Sequence, residues 1–334
     1  MKLLITGSEG RVISATIPHL LEAGHEIIGV DTCEKWGVRS VLHDYRFVQA
    51  DASDSATMRP LLQGVDGVIQ AAATLFGVVG FHRRCADVLA HDMAVHQNVL
   101  RMSVGTGVGR VVYISSSMVY EMCHTEPYLE ESVDDAVAPR TEYGLSKLVG
   151  ERLSRAYWKQ YALPFTIWRP FNVIDPNEVG TDDQGVSHVF ADFIYRLIEQ
   201  QQNPLEVLGD GRQIRSFVHI REISDAIARF SFDDRTHNQT YNLGRNEPVT
   251  VIELAQMIYR KACARGLIRK PGALEFRSLE VPATDVRRRV GCFSKAQKEL
   301  NWNSTISLDQ AIDDCLDSFQ AREVLDKHDK CGCI

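Results

Sequence analysis

The chain lacks long apolar runs: nothing in its 334 residues approaches the roughly 20 that a membrane-spanning helix requires. No secretory leader is expected either, since Met1-Lys2 leads straight into a short apolar run and a glycine turn. Excess positive charge is absent. With 37 Lys and Arg against 44 Asp and Glu, the formal net charge of −7 argues against a nucleic acid as main partner. Small anionic ligands remain compatible, because a few local Arg or Lys side chains suffice for them. The eight cysteines (33, 85, 123, 263, 292, 315, 331 and 333) fall in no zinc spacing and no paired framework. No metal site is expected, and the scatter suits reduced thiols in a cytoplasmic protein. The terminal Lys330-Cys331-Gly332-Cys333-Ile334 lacks the aliphatic pair of a prenylation box, and residues 326–334 are read as a flexible tail. Internal repeats and low-complexity linkers are also absent.

What is present is globular. Hydrophobic residues make up 44% and charged residues 24%, enough for a sizeable core without disulfide staples. The first half alternates strand and helix signals. Apolar, β-branched runs at Lys2–Thr6, Glu26–Asp31, Arg46–Ala50, Gly67–Ala71, Arg110–Ser115 and Phe165–Trp168 alternate with helical stretches at 11–23, 55–63, 85–104 and 142–161. That rhythm predicts an α/β fold whose parallel sheet is covered on both faces. After residue 171 it changes: a loop at Asp175–Gly185, then helices near 187–201, 221–231, 250–265 and 307–320 with short strands between.

Residues 7–14, Gly-Ser-Glu-Gly-Arg-Val-Ile-Ser, follow the first strand and open the first helix. Gly7 allows a tight turn, and Gly10 lets the backbone approach a pyrophosphate at the helix N-terminus, beside Arg11 and Val12. The third glycine of the dinucleotide fingerprint is replaced by Ile13, whose side chain must push the helix outward or fill a gap; no phosphate donor is lost. Asp31 ends the second strand 21 residues after Gly10, where a carboxylate accepts from the adenosine ribose and repels a 2′-phosphate, favouring NAD over NADP. Asp51, followed by Ala52 after the third strand, can reach the adenine amino group.

Downstream, the strand Val111-Val112-Tyr113-Ile114-Ser115-Ser116 precedes Thr141-Glu142-Tyr143-Gly144-Leu145-Ser146-Lys147. Tyr143 and Lys147 are four apart at a helix start and share a face. The ammonium is expected to lower the phenol's pKa from its ordinary ~10, and Ser116 can bind the same substrate oxygen. That set suits removal of a hydroxyl proton while hydride leaves carbon. A dinucleotide-binding sensor without catalysis would need none of it.

These segments together resemble the extended short-chain dehydrogenase/reductases, the nucleotide-sugar epimerase/dehydratase family. Thr6–Gly10 is similar to its TGxxG, Ser115–Tyr120 to its serine strand, and Tyr143–Lys147 to its YxxxK. Arg169–Pro176, Gly209–Ile220 and Ser294–Trp302 resemble its later motifs. The resemblance implies a Rossmann-like doubly wound sheet over residues 1–171, a crossover at about 216–243, and a smaller C-terminal α/β substrate lobe from 172–215 and 244–325. It makes Ser116 the catalytic hydroxyl (Ser117 the fallback), Tyr143 the base, and Lys147 its partner and a ligand of the nicotinamide ribose. Ala71, Ala72 and Ala73 would border NAD, with Pro170 against the nicotinamide. Asn172 and Arg215 would hold the diphosphate of a UDP- or GDP-linked sugar, joined by Arg288 or Arg289. A homodimer through the helices at 85–104 and 142–161 is also implied.

Several positions depart from the family pattern. Gln70 stands for a histidine, Glu121 for a glycine and Cys292 for an aspartate. Met118 stands where 4,6-dehydratases and uronate decarboxylases of the family carry a glutamate, and methionine can neither give nor take a proton. Residues 73–84 resemble a loop of GDP-mannose 3,5-epimerases, but that family has a cysteine at the place of Met118, and Cys123 is five positions away and read as structural. Reversible oxidation at C4 needs no further acid. The expectation is therefore an NAD-dependent nucleotide-sugar 4-epimerase, with a 4-dehydrogenase or a 3,5-epimerase as alternatives.

Overall fold

The computed structural model describes residues 1–34, 37, 44–74, 83–182, 187–280 and 286–331, with side chains up to Arg322. Strands β1 (Lys2–Thr6), β2 (Glu26–Asp31), β3 (Arg46–Gln49), β4 (Gly67–Gln70), β5 (Arg110–Ile114) and β6 (Phe165–Pro170) alternate with helices α1 (Arg11–Glu22), α2 (Ser55–Leu61), α3 (Cys85–Ser103) and α4 (Glu142–Tyr161). The strands pair in parallel in the order β6-β5-β4-β1-β2-β3. Because successive side chains of a strand point to opposite faces, β1 feeds two cores. Leu3 and Ile5 pack with Ile13, Ile17 and Leu20 of α1 on one face; Leu4 packs with Val95 and Val99 of α3 on the other. Each fully buried Leu or Ile contributes roughly 1.5–3 kcal/mol, so the double coverage is what holds the sheet. Ile13, 2% exposed, fills the α1 core face where the third glycine would leave space.

Beyond β6 come β7 (Val173–Ile174), α5 (Val189–Ile194), β8 (Leu205–Leu208), β9 (Ile214–Ser216), β10 (Val218–His219) and α6 (Ile220–Phe230). The helix expected over 187–201 is thus shorter, and it ends in a wider π-type turn at Tyr195–Glu199. Helix α6 buries Ile223, Ala226, Ile227 and Phe230, spaced as one helical face, on the same side of the sheet as α1. It delivers β11 (Gln239–Leu243) back to the main sheet as a seventh strand beside β6, in the register Thr240↔Ile167.

The remaining elements are β12 (Pro248–Thr250), α7 (Val251–Ala264), β13 (Phe276–Leu279), β14 (Arg288–Arg289), α8 (Ser294–Leu300) and α9 (Leu308–Cys331). Helix α8 packs Ala296 and Leu300 into the core of α1 and α6, while a third core joins α5, β8, α7 and α9. Phe193, Leu197, Leu205, Phe217, Leu254, Ile258, Ile312 and Leu316 meet there. Helix α9 continues through Cys331, over most of the stretch read as a flexible tail. Among the described residues, no helix is long and apolar enough to cross a membrane.

Candidate active site

The turn after β1 is built by close approach. Gly7 has φ +72°, and a Cβ there would lie 2.7 Å from the Ala72 nitrogen, so this turn presses directly on the segment after β4. Gly7 N donates to Val30 O at 2.8 Å and Gly10 N to Gly7 O at 3.0 Å. Gly10 caps α1 without a side-chain hydrogen bond, which leaves the helix end presenting backbone amides at Arg11 and Val12. Asp31 reaches the same place from the end of β2: one oxygen accepts Glu9 N at 3.0 Å, the other Cys33 N at 2.8 Å. A glycine cradle, a helix N-terminus and a carboxylate at the adjacent strand end fit the pyrophosphate and ribose of a dinucleotide. Ala71, Ala72 and Ala73 continue from β4 along this groove.

Asp51 accepts Ser53 N at 2.8 Å and stands 3.2 Å from Nε2 of His91, a residue of α3 that the sequence did not single out. Ala52 is buried and its carbonyl accepts from Asn98 at 2.8 Å. Gln70, which replaces a histidine, faces inward, 2.5 Å from Nδ1 of His96. Of the stretch from Ala73 to Arg84, residues 75–82 lie outside the described residues.

At the end of β5 the chain tightens into a 3-10 turn, Ser117–Tyr120, capped by Ser116, whose Oγ accepts Met118 N at 3.2 Å. Helix α4 starts nearby because Thr141 caps it, accepting Gly144 N at 3.2 Å. Glu121 fixes that start. Its carboxylate accepts the amide of Arg140 at 3.1 Å and the hydroxyl of Thr141 at 2.6 Å, which commits it to the helix cap and away from any acid role. Tyr143 and Lys147 then face β5, 7% and 3% exposed. Ser116 hydrogen-bonds the Tyr143 hydroxyl.

The expected electrostatics are corrected here. Burial dominates, pushing the phenol of Tyr143 well above its ordinary pKa against the Ser116 hydrogen bond and the charge of Arg289. Burial also lowers the pKa of Lys147, with Asp92 and Glu151 opposing it. The ammonium donates to Ile114 O at 2.9 Å and lies 5.7 Å from the Tyr143 ring centroid. Asp92, wholly buried on α3, was also missed. Its signal was there to find: it breaks the apolar stripe Val88, Val95, Val99 at helical spacing.

Underneath, Glu151 of α4 pairs with Arg169 of β6, and Arg169 also donates to Tyr120 and to the Glu130 carbonyl. On the far side of the cleft Asn172, at φ +33°, donates to Ser216 O at 2.7 Å and accepts from Arg289 at 2.9 Å. Arg289 also touches the Met118 sulfur. Arg215, 8% exposed, neighbours it on β9, in register with Arg289. Arg288 points to the other face of β14, where it pairs with Glu126; strand alternation sends the two arginines to opposite sides. Pro170 closes β6, paired with Leu243. Cys123 is buried, donates to Ser132 O at 3.3 Å, and has its thiol pKa raised by burial.

The sequence pattern of the NAD dependent epimerase/dehydratase family matches residues 3–244. A protein named as an uncharacterized UDP-glucose epimerase of Bacillus subtilis is 27% identical over 270 residues, covering 77% of this chain and 81% of its own. GDP-mannose 3,5-epimerase 1 of Oryza sativa subsp. japonica is 26% identical, covering 93% of this chain and 80% of its own. Among solved structures, the UDP-glucose 4-epimerase of Thermotoga maritima shares the fold with a TM-score of 0.81 at 21% identity, over 96% of this chain and 99% of that one. An epimerase of Methanothermobacter thermautotrophicus does so with a TM-score of 0.83 at 24% identity, over 97% and 93%.

Proposed function

The chain belongs to the NAD-dependent epimerase/dehydratase family, and we propose that within it this protein is a nucleotide-sugar 4-epimerase. The observation that carries the reading is the convergence of Ser116, Tyr143 and Lys147, with Arg289 and the Met118 sulfur in contact nearby. A base and a hydrogen-bonding hydroxyl are present; a second proton-transferring side chain at position 118 is not.

The residues that would hold NAD are Gly7, Gly10, Arg11 and Val12 at the pyrophosphate and Asp31 at the adenosine ribose. Asp51 and Ala52 would serve the adenine, Ala71–Ala73 the groove floor, and Lys147 and Pro170 the nicotinamide end. NAD held there would supply the hydride acceptor and donor that reversible oxidation needs. Tyr143 takes the proton of the sugar's C4 hydroxyl, Ser116 holds that oxygen, and Tyr143 gives the proton back after the 4-keto sugar has turned over. Asn172, Arg215 and Arg289 hold the diphosphate and leave the sugar room to rotate about it. Met118 supports simple C4 chemistry over elimination or decarboxylation. Against 3,5-epimerisation stands Cys123, whose thiol is directed to the Ser132 carbonyl.

The test is incubation of the purified, NAD-containing protein with UDP- and GDP-linked hexoses, with product stereochemistry read by NMR. Inversion at C4 without build-up of reduced-nicotinamide absorbance is expected. Stoichiometric reduction with release of a 4-keto sugar would make the protein a 4-dehydrogenase instead. We place the protein in the cytoplasm as a homodimer through α3 and α4, which sedimentation of the intact chain would test.

A further inference from the structure

The loop after β3 is held by α3 at two points. His91 stands with Nε2 3.2 and 3.3 Å from the two oxygens of Asp51, and Asn98 donates to the carbonyl of the next residue, Ala52, at 2.8 Å. On its other side the imidazole meets the segment after β4. Its Nδ1 lies 3.1 Å from the hydroxyl of Thr74, whose amide donates to the buried Asp92 at 2.8 Å, with Asp92 itself 3.9 Å from Nδ1. His91 thus ties together two stretches that arrive from different strands, the one assigned to the adenine and the one assigned to the groove floor.

The neighbours of the ring fix its protons. Nε2 faces an ionised carboxylate, which only accepts, so that nitrogen carries a hydrogen. Nδ1 faces a hydroxyl, which donates to a neutral ring or accepts from a charged one, and the link to Asp51 survives in either state. In the free chain this link does little for the fold. The side chains of His91 and Asp51 are 36% and 41% exposed, and an ion pair open to water contributes little to stability. What it fixes is a direction. Ser53 N donates to Oδ1 at 2.8 Å from within the turn, and His91 supplies a second tie from α3, so the carboxylate cannot rotate without breaking one of them. A carboxylate offers about four acceptor sites, and these donors leave room for another.

We propose that His91 is a positioning residue for NAD: it holds Asp51 in the orientation that accepts the adenine amino group, and so makes the site choose adenine over a purine with oxygen at that position. The inference rests on Asp51 serving the adenine, as described above. An amino group donates to the held carboxylate, whereas the carbonyl oxygen of hypoxanthine, an acceptor, opposes it. Once the purine covers the pair, water is excluded and each of these hydrogen bonds counts for more than in the free chain. With the N–H of the ring removed, Asp51 keeps only its tie within the turn and swings aside. Adenine then loses an oriented acceptor and hypoxanthine loses its obstacle. Asn98 anchors the same loop through the Ala52 carbonyl, not the carboxylate, so its loss weakens both dinucleotides alike.

The experiment is equilibrium binding of NAD and of nicotinamide hypoxanthine dinucleotide to the full-length chain freed of nucleotide, for wild type, His91→Leu, His91→Gln, Asn98→Ser and Asp51→Ala. Wild type should prefer NAD, and His91→Leu should reduce that preference by roughly tenfold, the scale of one hydrogen bond to a charged group. His91→Gln, which can present an amide N–H to the same carboxylate, should restore it. Asn98→Ser should lower both affinities and keep their ratio; a drop in its ratio equal to that of His91→Leu would make general loop anchoring the cause and overturn the proposal. A wild-type ratio in His91→Leu beside a lost one in Asp51→Ala overturns the role of His91 alone. A wild-type ratio in Asp51→Ala takes Asp51 from the adenine and overturns both assignments. No sugar is turned over in this measurement, so a chain with the expected ratios that inverts no nucleotide sugar would sink the 4-epimerase reading and leave the role of His91 standing.

Discussion

Arg169 and Glu151 form a two-pronged ion pair, Nε to Oε1 at 2.8 Å and Nη2 to Oε2 at 2.6 Å, with side chains 0% and 1% exposed. The pair joins the last strand of the first half to the helix that carries Tyr143 and Lys147. Removing one partner leaves the other charge buried, which typically costs about 3–5 kcal/mol. Glu151→Gln should therefore lower the stability of the whole chain by that order, measured by denaturant unfolding. A loss below about 1 kcal/mol would show that solvent reaches the site.

Truncating the phenol oxygen separates binding from chemistry. Tyr143→Phe keeps the ring that fills the pocket and should retain NAD, while turnover falls by ~10²–10⁴-fold, the usual worth of a general base. Nucleotide content by mass spectrometry and initial rates are the two readings; undiminished rates would refute the base assignment.

The two arginines of β14 should separate cleanly. Arg289 faces Met118 and Asn172, so Arg289→Ala should raise KM for the nucleotide sugar by roughly 10-fold or more, the scale of a charged hydrogen bond. Arg288, paired with Glu126 on the opposite face, should change KM by less than about twofold when replaced by alanine. Equal effects would mean that the strand rotates when substrate binds.

Acid should act through Glu178. Burial alone would raise its carboxyl, but His188, 3.0 Å away, and Arg11 more than reverse this and hold it at about 2, below the ordinary 4.5. A depressed carboxylate contributes stability that is complete above pH 4.5 and lost as pH falls toward 2. Thermal melting from pH 5 to 2 should show wild type losing stability faster than Glu178→Gln; parallel curves would remove Glu178 from the acid response.

Much of this was readable from the chain itself. The inner strands β1, β2, β4 and β5 are rich in Leu, Ile and Val, and local propensity and burial agree there, whereas the edge strand β11, Gln239–Leu243, carries no such run. The positions of Tyr143 and Lys147 followed from helical spacing. What spacing could not reveal was burial. Lys147 was expected to lower the pKa of the phenol, but burial raises it. Glu121, Asp92 and His91 went unassigned or misassigned because their partners, Thr141, Ser146 and Asp51, arrive from elsewhere in the chain. The opposite facing of Arg288 and Arg289 depends on alternation in a two-residue strand too short to be read from sequence.

The contact between Gly7 and the backbone at Ala71 and Ala72 has a consequence for variation. A methyl group on the first turn could be housed only if the second segment withdrew, and withdrawal would reshape the trough both of them border. The two stretches, far apart along the polypeptide, therefore have to change in concert or stay as they are, and any redesign of ligand preference that edits one must edit the other.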